Sequence, residues 1–123
     1  MELDLWAELQ QKSAQLNTSV KTLRNSGSEY AAAERDYKVL LRTECLKLKD
    51  DGVAIGLIDK TCYGIPSVAE ARFKRDVAEA VYKANLEAIN SLKLQIRIID
   101  NQIGRDGDRL GGVTVEKRMG RRA

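Results

Sequence analysis

Two runs of apolar positions, spaced alternately three and four residues apart, dominate the chain. In the first, Leu9, Leu16, Leu23, Tyr30 and Tyr37 recur every seven residues, with Trp6, Ser13, Val20, Gly27, Glu34, Leu41 and Leu48 between them. That spacing places side chains on one stripe of an α-helix, so a helix is predicted over 2–49. Asn25-Ser26-Gly27-Ser28 has the composition of a break. The phase of the stripe is the same on both sides of it, so continuity is predicted. In the second run, Val68, Ala71, Arg75, Ala78, Tyr82, Asn85, Ile89, Leu92, Ile96, Ile99 and Ile103 alternate in the same way. This predicts a helix over 67–103, opened by Ser67 and Glu70 at capping-box spacing.

Between the runs, Lys47 and Lys49 suit the negative end of the first helix, and Gly52 suits a left-handed C-terminal position. Residues 53–63 are apolar on one side through Val53, Ile55, Leu57, Ile58 and Cys62, which predicts a short helix folded over the tip. A strand there has no partner, and a lone strand is not stable. At 1.5 Å per residue the long helices measure about 70 Å and about 55–60 Å. Helices joined by a short connection pack antiparallel. The expected fold is all-α: a long, coiled-coil-like antiparallel helical hairpin over 1–103, with a short third helix at its tip. A flexible tail over 104–123 is expected to follow, because that segment holds five of the nine glycines and no apolar period.

A second apolar strip, Val77, Val81, Ala84 and Ala88, flanks the seam of the second helix. A two-helix hairpin buries little surface for its length, so a partner protein or a second copy of the chain is expected to cover this flank.

The formal net charge of +3 is uneven. Residues 1–103 carry 15 basic and 15 acidic side chains, while residues 104–123 carry six and three. The body is neutral and the excess lies in the tail. Arg72-Phe73-Lys74-Arg75 is the densest basic run of the body. Together with Arg118, Arg121 and Arg122 it supplies the candidate nucleic-acid contacts, Arg72, Lys74 and Arg75. The more ordinary reading of that run is a solvated face with Phe73 packed inward. Glu34 and Arg75 are a candidate seam pair, though counting from the hinge leaves them out of step unless the short helix shifts the register.

The absence of histidine excludes Ser-His-Asp and Cys-His catalysis and His-bearing zinc sites. No nucleophile, base and oxyanion donor assemble from the pattern, so no catalytic residue, cofactor or metal is assigned. Asp50, Asp51 and Asp59 near the hinge lack calcium-loop spacing and read as helix-end residues. No apolar stretch reaches the length of a membrane span, and the acidic Met-Glu-Leu-Asp opening is unlike a secretory signal. Host-cell cytoplasm is the expected setting, with Cys45 and Cys62 reduced and serving as apolar filler.

From Tyr30-Ala-Ala-Ala-Glu-Arg-Asp-Tyr37, through Gly52, Leu57-Ile-Asp-Lys60, Gly64 and Val68-Ala69, to Arg72-Phe-Lys-Arg-Asp-Val-Ala-Glu-Ala-Val-Tyr82 and Glu87-Ala-Ile-Asn90, the chain resembles small helical early accessory proteins of phages and prophages of Gram-positive bacteria. The resemblance spans roughly residues 28–103. It implies a non-enzymatic protein encoded near replication and recombination genes, which binds a host or phage protein or nucleoprotein complex and in some cases inhibits a host-defence complex of the CRISPR type. Two alternatives stay open: a nucleic-acid-binding accessory protein of phage replication or recombination, and a self-assembling structural coiled coil.

Overall fold

The computed structural model describes residues 2–110, which form three helices: α1 (Glu2–Asp50), α2 (Ile55–Tyr63) and α3 (Pro66–Leu110). Helices α1 and α3 pack against each other as a hairpin, and there is no strand among the described residues. The chain forms two compact units. One is Lys21–Leu86, and the other joins the residues up to Val20 with those from Glu87 on.

The hinge follows from backbone hydrogen bonding. Gly52 adopts φ +85°, a conformation that costs a side-chain-bearing residue energy. This turns the chain so that the Val53 N–H donates to the Leu48 carbonyl at 3.0 Å and the Gly52 N–H donates to Lys49 at 3.1 Å. The pair is a Schellman closure, which satisfies carbonyls left without partners in the last turn of α1. Helix α2 begins at Ile55, two residues later than the apolar pattern predicts, after Ala54 in an extended conformation.

Helix α3 starts at Pro66 rather than Ser67. Proline suits the first helical position because its φ is preset and no N–H is needed there. Ile65 therefore stands at the cap, its carbonyl accepting the Ala69 N–H at 2.9 Å. Ser67 and Glu70 fall inside the first turn, and the expected capping box is not formed at these positions.

On α1 the predicted stripe is buried or half-buried from Leu9 to Leu48, but Trp6 at its start is 50% exposed, contrary to the expected seam position. On α3, every position from Val68 to Ile103 in the predicted series is buried or half-buried. In the Lys21–Leu86 unit, Tyr37, Cys62 and Val68 form a buried cluster with Leu40, Leu41, Cys45, Leu48, Ile65 and Ala71 against it. In the other unit, Ile89, Ile99 and Ile103 are buried.

At its C-terminal end α3 departs from expectation. It runs through Gly104 to Leu110, so the predicted tail begins too early. Gly104 and Gly107 are half-buried and Ile103 is buried. Packing at that turn offsets the roughly 1 kcal/mol that a glycine costs inside a helix. Residues 111–123, the rest of the predicted tail, lie outside the described residues.

The buried apolar positions set the stability of each unit. Val68→Ala is expected to destabilise by about 2 kcal/mol and Ile89→Ala by about 3 kcal/mol. Val77→Ala, at an exposed position, is expected to change stability by less than about 0.5 kcal/mol. Urea unfolding monitored by circular dichroism checks all three.

Candidate functional site

The Lys21–Leu86 unit holds the candidate interaction surface, and its geometry begins with the seam. Ser26 is buried, and its hydroxyl donates to the Leu23 carbonyl at 3.1 Å while accepting from Asn85 Nδ2 at 2.9 Å. Beside it, Gly27 lies against Tyr82. A Cβ at this position would come within 3.2 Å of the tyrosine Cε1. The serine and glycine that look like a helix break are therefore the places where α1 receives Asn85 and Tyr82.

One turn on, the Tyr30 hydroxyl donates to Glu79 Oε2 at 2.8 Å, and the Tyr30 and Tyr82 rings stand 5.9 Å apart at 33°. Lys83 donates to the other Glu79 oxygen, also at 2.8 Å. The Lys83 and Tyr30 donors hold the Glu79 carboxyl below its ordinary value of 4.5. The same hydrogen bond to Glu79, with some burial, raises the Tyr30 phenol above its ordinary 10.0. Further along, Arg75 lies 4.7 Å over the Tyr37 ring and pairs with Asp76 at 2.9 Å. Burial opposes the Arg75 charge, but the Asp76 hydrogen bond and carboxylate, with Tyr37 and Glu34, outweigh it and raise its pKa. Glu34 reaches Lys38 at 3.6 Å. The expected Glu34–Arg75 pair is thus near in space, while each residue takes its ion-pair partner from its own helix.

On one side of the seam lies a groove of about 550 Å³. Half-buried Ala32, Ala33, Leu40 and Ala71 form its floor, and exposed Glu29, Asp36, Ser67, Glu70 and Lys74 form its rim. The rim carries three carboxylates against one ammonium. At 100° per residue, Glu70, Lys74 and Val81 lie within about 40° of one another around α3, so the groove and the expected apolar flank share a side of the helix. Val77 and Val81 are each 46% exposed and Ala84 is exposed. Ala88 is also exposed, within the other unit.

Phe73 extends this strip. It is 63% exposed, contrary to the inward packing expected of it. The seam positions nearest to it are Ala71 and Arg75, and a residue two places from each faces away from the core. The groove was not legible from periodicity. The Ala31-Ala32-Ala33 run reads only as a good helix former, and the concavity is lined by Ala32 and Ala33 together with Leu40 and Ala71.

Among the described residues, the candidate nucleic-acid side chains are each engaged separately. Arg72 lies 5.5 Å over the Tyr63 ring, Arg75 is engaged with Tyr37 and Asp76, and Lys74 stands on the groove rim. Arg118, Arg121 and Arg122 lie outside the described residues. Asp50, Asp51 and Asp59 are exposed, and among the described residues no three His, Cys, Asp or Glu side chains come together as a metal-ligand group. No described helix is long and apolar enough to cross a membrane. Comparison with protein-family models, with curated proteins and with solved structures gives no match.

The bonds that Lys83 and Tyr30 make to Glu79 are expected to make stability pH-dependent at both ends. Glu79 has a lowered folded pKa, so its contribution is whole above pH 4.5 and fades as pH falls through the folded value. Tyr30 has a raised folded pKa, so its contribution is whole below pH 10 and fades as pH rises through the folded value. Glu79→Gln is expected to flatten the acid limb of a melting-temperature profile, and Tyr30→Phe the alkaline limb. Thermal melts between pH 3 and 11 check both signs.

Proposed function

We propose that this chain is a non-enzymatic docking protein of the phage early accessory type, whose Lys21–Leu86 unit captures a helix of a host or phage protein. The observation that carries this reading is the side of α3 where an alanine-floored groove adjoins the exposed strip of Phe73, Val77, Val81 and Ala84. Apolar side chains gathered on one face, next to a concavity of small residues, suit a helix laid into a groove. The acidic rim of Glu29, Asp36 and Glu70 favours an occupant whose apolar ridge is bordered by lysine or arginine. The resemblance to phage accessory proteins points to a host-defence complex of the CRISPR type, or a DNA-metabolism complex, as the source of that helix.

In this reading nucleic acid is reached through the partner. Arg75 spends its charge on Asp76 and Tyr37 and is poorly placed to meet a phosphate. A second copy of the chain is the competing occupant, and light scattering of the purified protein separates the two.

The test compares the wild-type chain with the Val77→Glu/Val81→Glu double variant. Both positions are exposed, so circular dichroism is expected to stay unchanged. Affinity purification from phage-infected Gram-positive cells, with quantitative mass spectrometry, is expected to show one protein or complex depleted at least about tenfold by the variant. Equal recovery with both forms would contradict docking through this strip.

A further inference from the structure

Cys45 and Cys62 come together at the hinge end of the Lys21–Leu86 unit. Cys62, on α2, is fully buried with Tyr37 and Val68, and Cys45, on α1, is half-buried against the same cluster. Cys62 Sγ lies 3.6 Å from the Leu41 carbonyl oxygen. Leu41 is one turn before Cys45 on α1, and the Cβ of a helical residue tilts toward the N-terminal end of its helix. The Cys45 side chain therefore leans toward the place that Cys62 Sγ occupies, and Cys45 packs against the cluster that holds Cys62. The chain has two cysteines, so an intramolecular bridge has a single pairing.

We infer that Cys45 and Cys62 are a redox pair that closes to an intramolecular disulfide and staples α2 to α1. With a low-molecular-weight disulfide such as oxidised glutathione, the more accessible Cys45 thiolate attacks one sulfur, a mixed disulfide forms and one glutathione thiolate leaves. Cys62 then gives its proton to solvent and attacks the Cys45 sulfur, and the second glutathione thiolate leaves and is protonated. Two protein thiols are oxidised and one glutathione disulfide is reduced to two thiols.

The order of attack follows from the surroundings. Burial first, then the neighbouring Cys45 thiol and the Glu44 and Asp59 carboxylates, pushes the Cys62 thiol up to about 11. Cys62 is thus the slower nucleophile and the resolving one. Val68 and Ala71 are the α3 side chains in the cluster, and they bring no charge to it. Reduced, the pair is core filler. Oxidised, it holds the short helix to the long one and restricts the unfolded chain.

The test treats the full native chain with oxidised glutathione, alkylates what remains free, and maps the products by non-reducing peptide mass spectrometry. The expected main product is a monomer with a linked Cys45–Cys62 peptide and no free thiol, melting at least about 5 °C higher than the reduced chain. Cys62→Ala is expected to stop at a glutathione adduct on Cys45. A persistent Cys45 adduct or a Cys45–Cys45 dimer as the main wild-type product would overturn the inference. So would a bridge that forms only in urea, or one that lowers the melting temperature.

Discussion

The register of the Lys21–Leu86 unit rests on one polar contact set into an apolar seam. Ser26 is buried, and its hydroxyl is satisfied by the Leu23 carbonyl and the Asn85 amide. Sliding α3 by one turn would oppose an apolar side chain to Ser26 and strand Asn85 against apolar neighbours. An unsatisfied buried polar group costs about 1–3 kcal/mol, and a single polar layer is a well-attested device for fixing helical register. Gly27 supports the same alignment by shape, because a Cβ there would stand 3.2 Å from Tyr82 Cε1 and press the ring away. Once this layer is in place, Tyr30 meets Glu79 and Tyr37 meets Arg75 in step along the two helices. The groove follows the same register, since Ala71 then stands level with Leu40 and the small side chains Ala32 and Ala33 continue its floor along α1.

Much of this architecture was legible in the sequence because periodicity and packing report the same quantity. Every position of the predicted series on α3, from Val68 to Ile103, is buried or half-buried. Continuity through Asn25–Ser28 was legible from phase, although the reason for those residues was not. Local composition marks Ser26 and Gly27 as a break, and only the opposite helix explains them. Helix ends were less legible. Pro66 took the first helical position that Ser67 was expected to cap, and packing at Ile103 carried α3 through two glycines.

The candidate site divides along the same line. The exposed flank of Val77, Val81 and Ala84 was visible as a second stripe, because exposure on a helix follows from angle alone. The orientation of Phe73 was misjudged by hydrophobicity, although its angle relative to Ala71 and Arg75 places it outside. The groove and the meeting of Cys45 with Cys62 need the antiparallel register and the short helix, and no spacing within one helix encodes either. The local partners of the basic run were not legible either: within Arg72–Arg75, Arg75 is drawn to Tyr37 and Asp76, and Arg72 stacks on Tyr63.

The central claim is that a polar layer inside the seam fixes the register on which the groove depends. A double-mutant cycle on Ser26→Ala and Asn85→Ala, read by urea unfolding, tests it most directly. The account predicts a coupling energy of about 1 kcal/mol or more between the two positions. Effects that add within about 0.3 kcal/mol would show the two residues to be independent, and the register would then have to be set by something else.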